Sequence, residues 1–351
     1  MSEKDLSAIT SWVTQISTTD RLYEHDVSQH RECFEALVDG TLDATISESY
    51  LRHLSRFPVH ESILTLAVDV VRKHMIAFDV STSGPILDVC GTGGDGQQTF
   101  NISTTAFFVL AGAGFNVVKH GNRGVTSSSG SSDVLQELGV PVSASVETLQ
   151  SIFNEIGSVF LFAPSFHPIL KHVAPIRQSL GIRTIFNVMG PLLNPANPSH
   201  QLIGAYNVEV AKAMAQSLHA RGVHATVFHH HDGYDEWVPF GHATSFHAIP
   251  GNTDVLQTET SFEQFGVKKG SKDSIVGGPP YENAELLRQI LQNRADEAKI
   301  DTVCMNAAAA IQIVHPDIDR LEAVQMAKDS IDSGAAWRIL QSMIEVGHDN
   351  S

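Results

Sequence analysis

Cysteine is scarce in this chain. Cys33, Cys90 and Cys304 stand far apart, odd in number and with no CxxC pair. That excludes a disulfide framework and a thiol-based zinc or redox motif, and it points to reduced thiols in a reducing compartment. Positive charge is scarce too: 23 lysines and arginines face 39 acids, a formal net charge of -16. A field of that sign opposes nucleic acid and anionic lipid. No apolar run approaches the ~18 residues that a membrane span needs. The start, Met1-Ser2-Glu3-Lys4-Asp5, is not an apolar signal region. The expectation is a cytoplasmic protein with neither a nucleic-acid nor a membrane partner. A GxxxxGK[ST] phosphate loop is absent, and Gly112-Ala113-Gly114 follows a helical stretch, which rules it out as a dinucleotide fingerprint. Internal repeats and low-complexity tracts are absent as well.

What is present suits a globular fold: 351 residues, 42% of them hydrophobic, are enough to bury a sizeable core. Residues 1–80 read as helices. Leu6, Ile9, Val13 and Ile16 recur at helical spacing. A second helix runs from about Gln29 to Val38 and stops at Gly40, a third ends before Pro58, and a fourth covers about Glu61 to Ile76. The pattern changes at Ser81-Thr82-Ser83-Gly84-Pro85. Short apolar strands follow at Ile86–Cys90, Phe115–Val118, Ser158–Ala163, Gln201–Ala205 and Ala225–His229, with a further candidate at Ser274–Val276. Helical stretches alternate with them at Ala106–Ala113 and Asp133–Leu138, and more close the chain at about Ala284–Gln292, Ala307–Ile313 and Arg320–Asp332. Alternation of this kind predicts an α/β fold with a mostly parallel central sheet.

Four segments carry chemistry. Gly91-Thr92-Gly93-Gly94-Asp95-Gly96 lies between a strand and a helix, and Asn101-Ile102-Ser103-Thr104 stands at the helix start. Glycines let a ligand approach the backbone, and helix-start N–H groups favour an anion; a tight capped turn is the competing reading. The run Lys119-His120-Gly121-Asn122-Arg123-Gly124-Val125-Thr126-Ser127-Ser128-Ser129-Gly130-Ser131 concentrates two cations, glycines and hydroxyls in an otherwise acidic chain. It is the local positive patch an anionic ligand needs, with Lys a point charge and Arg a planar fork for phosphate. Both loops fall at the carboxyl ends of strands, where α/β sheets bind ligands. Asp232-Gly233-Tyr234-Asp235-Glu236 offers adjacent carboxylates that suit Mg²⁺, or an ordinary acidic turn. His229, His230 and His231 just before it match no usual zinc spacing and read as structural. Finally, Lys171, His172, Arg177 and Arg183 follow Ala163-Pro164-Ser165-Phe166-His167-Pro168 and could face a carboxylate, or only solvent.

In order and spacing these motifs resemble the anthranilate phosphoribosyltransferase family of tryptophan biosynthesis. GTGGD, NIST, KHGNR, SGSSDVLQELG, APSFHP, IRTIFNVMGPLLNP, GYDE and NAAAAI occur in family order between about residues 25 and 345. The resemblance implies a small all-helical domain, residues 1–82 with inserted helices at about 166–190. A larger α/β domain, residues 83–165 and 191–351, would bind phosphoribosyl pyrophosphate. It implies a homodimer through the small domains and two Mg²⁺ ions per subunit. Gly91, Gly94, Asp95, Thr99, Asn101, Ile102, Ser103, Thr104, Lys119, His120, Gly121, Asn122, Arg123, Gly124, Val125, Thr126, Ser127 and Ser131 would hold the donor. Ser103, Asp235 and Glu236 would serve magnesium, and Gly91, Asn122 and Arg177 would contact anthranilate. Gly124 and Thr126 stand where the family often has Ser, Ser128 where it often has Lys or Arg, and Leu193 where Thr is frequent. Trp237 also departs from the pattern. A pyrimidine nucleoside phosphorylase, or a non-catalytic nucleic-acid-binding relative of the same fold, is the alternative.

Overall fold

The computed structural model describes residues 3–22, 26–124 and 129–349. Four helices open the chain: α1 (Glu3–Ser17), α2 (Val27–Val38), α3 (Ala44–Leu54) and α4 (Glu61–Arg72). Asp43 starts α3 by accepting from the backbone N–H groups of Thr45 and Ile46 at 2.8 and 3.3 Å. Gly40, at φ 70°, turns the chain after α2 as its position just beyond the helix requires.

Alternation then begins with β1 (Ile86–Gly91), α5 (Ile102–Gly112), β2 (Asn116–Gly121), α6 (Ser131–Glu137), α7 (Val146–Ile156) and β3 (Ser158–Phe162). Two short helices, α8 (Ala163–Phe166) and α9 (Ala174–Leu180), cross back with three single 3₁₀ turns. Next come β4 (His200–Gly204), α10 (Val208–Ala220), β5 (His224–His230), β6 (His242–Ala248) and β7 (Leu256–Ser261). Four helices finish the described chain: α11 (Pro280–Leu291), α12 (Glu297–Val314), α13 (Arg320–Asp332) and α14 (Ala335–Asp349).

The sheet order is β3-β2-β1-β4-β5-β6-β7. The first five strands are parallel, in register Leu87↔His200 and Val117↔Ser158 for example, and β6 and β7 add antiparallel. The chain winds outward from β1 through β2 to β3, then returns to lay β4 on the other side of β1. The order therefore reverses between β1 and β4, which opens a crevice at their carboxyl ends.

One core packs α5, α7 and α11–α14 on one face of the sheet; the other joins α1–α4, the crossing segment and α10 to the opposite face. Helix α5 is apolar all round, as a helix enclosed by others must be, with Phe107, Phe108, Val109 and Leu110 fully buried.

The expected α/β class and five parallel strands are present. The candidate strand at Ser274–Val276 is instead a 3₁₀ turn, Lys272–Ile275; Ser274 Oγ closes it on Ser271 O at 2.7 Å, and only Val276 bridges to Thr99. The expected fourth helix ends at Arg72, four residues before Ile76, and the helix expected from Ala307 starts ten residues earlier at Glu297. Strands β6 and β7 and helices α7, α10 and α14 have no counterpart among the elements expected from the sequence, although α7 and α14 each carry an apolar stripe at helical spacing. β7, with the polar run Leu256-Gln257-Thr258-Glu259-Thr260-Ser261, sits at the sheet edge and has little apolar surface to hide.

Candidate functional site

A cavity of about 350 Å³ opens at the carboxyl ends of β1, β2 and β4. Both glycine-rich loops line it, together with Asp235, Glu236, Arg177 and Arg183. Every expected site residue that is described lines this cleft except Ile102, which turns into the core and is fully buried. Its N–H bonds Phe100 O at 2.7 Å, so it anchors the start of α5. Val125, Thr126, Ser127 and Ser128 lie outside the described residues.

The loop after β1 closes around the acidic pair. A Cβ on Gly91 would meet Asp235 Oδ2 at 2.4 Å, and one on Gly204 would meet Asp235 O at 1.6 Å. Only glycine at these strand ends lets Asp235 press against the sheet. Gly93 N donates to Asp235 Oδ2 at 2.6 Å, and Ser103 N at the start of α5 donates to Glu236 Oε1 at 3.0 Å. A third carboxylate, Asp95, stands nearby and takes Gln97 N at 3.0 Å. Burial, then the charges of Asp95 and Glu236, push the Asp235 carboxyl well above its ordinary range. Burial likewise lifts Glu236 to about 7, against the pull of Lys119.

Lys119 is almost fully buried, and its ammonium donates to Val89 O and, at 3.3 Å, to Ser103 Oγ. It stands between Glu236 and Asp88, a fully buried acid on β1 that sequence reading passed over. Burial raises Asp88 to about 6; Lys119 and the amide of Asn194, which donates to its Oδ2 at 2.8 Å, pull it back. Lys119 is thus held as a counter-ion inside the wall of the cleft.

The second loop is drawn shut at its neck. Asp133 Oδ2 accepts from the N–H groups of both Gly124 and Gly130 at 2.9 Å, and Ser131 Oγ donates to Asn122 O at 3.2 Å. Arg123 lies over the Phe162 ring at 5.7 Å. Asn101 ties the two loops: its amide donates to Ser129 O at 3.2 Å. Thr99 and the buried Thr104 also line the cleft. His120 and His167 touch, Nε2 to Nε2, at 3.2 Å, and burial first lowers them to about 3 and about 4, so both are neutral.

The opposite wall comes from the crossing segment. Arg177 on α9 stacks over Phe186 at 5.8 Å, and Arg183 lies 4.4 Å from the centre of the Tyr206 ring and donates to Gly94 O. Among the described residues neither guanidinium pairs with a carboxylate, so both can serve a bound anion. Tyr206 was missed in the sequence, although its place directly after β4 put it at the ligand-binding edge. Trp237, one of the departures, faces away from the cleft. It stacks on Phe228 at 4.8 Å, and its backbone is bonded both ways to the Asn306 side chain at 3.0 and 2.8 Å. Asn306, the first residue of NAAAAI, thereby fixes the acidic pair from behind.

Adjacent buried carboxylates with one ammonium between them leave a deficit of positive charge. Hard oxygen donors in that arrangement are the set that Mg²⁺ favours, and the residues present fit such an ion.

Residues 83–337 match the glycosyl transferase family, a/b domain. The chain is 38% identical over 321 residues to the anthranilate phosphoribosyltransferase of Thermomicrobium roseum, covering 91% of this chain and 92% of that protein. Its structure is similar to that of the anthranilate phosphoribosyltransferase of Thermus thermophilus, with a TM-score of 0.87 and 32% identity over 96% of this chain and 99% of the other. The enzyme of the same name from Saccharomyces cerevisiae, solved in complex with PRPP and Mg, gives a TM-score of 0.87 at 28% identity, over 99% of each chain. The same yeast protein in complex with 4-fluoroanthranilate gives 0.84 at 27%, over 98% of this chain and 99% of that one.

Proposed function

The chain belongs to the glycosyl transferase family and, within it, to the anthranilate phosphoribosyltransferases, and from that membership we propose how its cleft carries the reaction. The enzyme transfers the phosphoribosyl group of phosphoribosyl pyrophosphate to the amine of anthranilate, giving N-(5-phosphoribosyl)anthranilate and pyrophosphate in tryptophan biosynthesis. The observation that carries the assignment of the site is the meeting of two glycine-rich, cation-bearing loops with a buried acidic pair in one cleft.

On this reading the donor lies along Gly91, Gly94, Asp95, Thr99 and the start of α5 on one side, and along Lys119 to Ser127 with Ser131 on the other. Arg177 forks the anthranilate carboxylate, with Asn122 and Gly91 beside it. Asp235, Glu236 and Ser103 hold magnesium, two ions per subunit. When bound, the metal neutralises the charge that develops on departing pyrophosphate. The arylamine is neutral at ordinary pH and already nucleophilic, so the protein's part is to position it and to stabilise the leaving group. No general base is assigned. Residues 1–82 with about 166–190 form the smaller domain of this reading, and a homodimer through it is expected in light scattering. A pyrimidine nucleoside phosphorylase would have no use for the acidic pair.

Mixing the protein with anthranilate, phosphoribosyl pyrophosphate and Mg²⁺ should consume anthranilate fluorescence. Asp235→Ala with Glu236→Ala should abolish that loss. Full activity of the double variant, or of the native protein in excess chelator, rejects the assignment of the acidic pair to magnesium.

A further inference from the structure

Outside the cleft, three metal-ligating side chains converge on the antiparallel end of the sheet. His231 leaves the end of β5, His242 begins β6, and Glu259 lies on β7. The backbone places them together. His231 N donates to His242 O at 3.0 Å, extending the β5–β6 ladder by one pair, and Glu259 faces Thr244 across the next strand. Side chains two apart on a strand share a face, so His242 and Thr244 point the same way. The two imidazole rings come within 4.0 Å, centre to centre, and His231 Nε2 lies 3.4 Å from Glu259 Oε2. One donor atom from each of the three residues falls within 4.8 Å of the other two.

We propose that His231, His242 and Glu259 form a second metal site, selective for zinc or a similar transition ion, which clasps the base of the loop carrying Asp235 and Glu236. Two imidazoles and one carboxylate suit Zn²⁺, whereas Mg²⁺ takes oxygen ligands almost alone. The two sites are therefore sorted by chemistry. Tetrahedral zinc at its usual bond lengths sets its ligands about 3.3 Å apart, so the side chains need to close by up to about 1.5 Å. All three are exposed and can move that far.

A supporting group is in place as well. Thr244, itself buried, donates to Glu259 Oε1 at 2.6 Å, which holds the carboxylate over the strands while leaving its Oε2 toward the histidine; its hydroxyl also accepts from His231 Nε2 at 2.8 Å, a contact that zinc would displace. His242 makes no side-chain hydrogen bond among the described residues, so its ring is not committed elsewhere.

The position gives the site a consequence. Residues 232–241 form the connection between β5 and β6, and they carry the acidic pair and Trp237. A metal bridging His231 to His242 closes that connection at its neck, as the ladder hydrogen bond already does more weakly. Zinc at this site should therefore slow opening of the loop without occupying the cleft.

The test is a zinc titration of the full-length protein, monitored by calorimetry in excess Mg²⁺ to occupy the acidic pair. One zinc per chain is expected. His242→Asn and Glu259→Gln, both at exposed positions, should each weaken it by at least about tenfold, since loss of even an outer-shell partner costs roughly that much. The double variant Asp235→Ala with Glu236→Ala, and His224→Asn in the separate stacked His200–His224 pair, should leave zinc affinity unchanged. Zinc should also slow amide exchange at residues 232–241 in the native protein and not in His242→Asn. Zinc binding that survives both ligand variants, or that vanishes with the acidic pair or His224, overturns the site. Unchanged exchange in the zinc-bound native protein overturns the clasp.

Discussion

At the scale of single residues, the cleft is governed by how few cations face its acids. Among the described residues, Lys119 is the cation that stands between Glu236 and Asp88, both buried, and its ammonium is already taken by Val89 O and Ser103 Oγ. The sequence placed it with the donor's phosphates because it sits in a glycine-rich loop; its buried neighbour Asp88 could not be seen in a strand that reads as apolar. Lys119→Ala leaves those acids uncompensated, a loss of the kind that costs roughly 3–5 kcal/mol. We expect it to lower Tm as well as activity, whereas Arg123→Ala should raise the KM for the donor about tenfold or more with Tm intact. Equal effects of the two variants on Tm would contradict the distinction. Glu236 supplies a pH dependence. Its carboxyl, raised by burial to about 7, is protonated below that value, and magnesium must displace the proton. On the proposed reading, magnesium affinity of the substrate-free protein should therefore rise as pH is raised through about 7; an affinity constant from about pH 6 to about pH 8 argues against the acid as a ligand. Arg177 gives an asymmetric expectation: on the proposed reading, with its guanidinium lining the cleft and paired with no carboxylate among the described residues, Arg177→Ala should raise the KM for anthranilate clearly more than that for the donor. Steady-state kinetics varying each substrate decide it, since a mere surface charge would change neither.

At the scale of elements, what could be read in the sequence were the parts with strong local signals. The parallel strands β1 to β5 each carry a short apolar stretch, broken by single polar residues such as Asp88, Lys119 and Gln201, and helices α5 and α6 stand between them as expected. β7 escaped notice because an antiparallel edge is half solvated and needs no such stretch, and β6, though mostly buried, is written with His, Thr and Ser between its few apolar residues. Tyr206 and Asn306 escaped because their partners, Arg183 and the Trp237 backbone, are remote in the chain. Glycines separate the two kinds of constraint. Gly204, at the end of β4, would with a Cβ strike Asp235 O at 1.6 Å; Gly112, at the end of α5, would strike Ser330 Oγ at 2.4 Å and Ala336 N at 2.5 Å. Gly112→Ala forces α13 and α14 away from α5, an overpacking cost of about 1–3 kcal/mol. It should lower Tm while leaving the magnesium requirement of the folded enzyme alone. Gly204→Ala moves the acidic pair itself, and should raise the magnesium concentration for half-maximal rate at least about tenfold, the equivalent of 1.4 kcal/mol. Parallel behaviour of the two variants in both measurements would show that the strand end does not shape the metal acids.

At the scale of the whole molecule, the question is whether the helical part behaves as an independent body. Its own helices leave much apolar surface to be covered. Val68, Val70 and Val71 of α4, with Leu64 and Ala67, belong to one buried cluster that continues through Met214, Leu218, Ile203 and Val227 on α10 and the sheet. α4 packs directly on α10, Thr65 Oγ1 donates to Ser217 Oγ at 2.9 Å, and Arg72 reaches Leu192 O at 3.4 Å. The crossing segment belongs to the same helical part, since Phe34 of α2 meets the ring of Phe186 at 6.4 Å. Separating residues 1–82 from the sheet would expose this cluster on both sides, and a helical fragment of that size buries too small a fraction of its surface to replace the loss. The expectation is one cooperative unfolding transition for the intact chain, with calorimetric and van't Hoff enthalpies in agreement. The isolated fragment 1–82 should lack a cooperative transition of its own. Donor with Mg²⁺ should raise the single Tm, because Arg183 from the crossing segment and Asp235 from the sheet line the same cleft and a ligand bound there links them. Two resolved transitions, with only the later one shifted by donor and Mg²⁺, would mean that the helical part folds on its own and that the cleft belongs to the sheet alone.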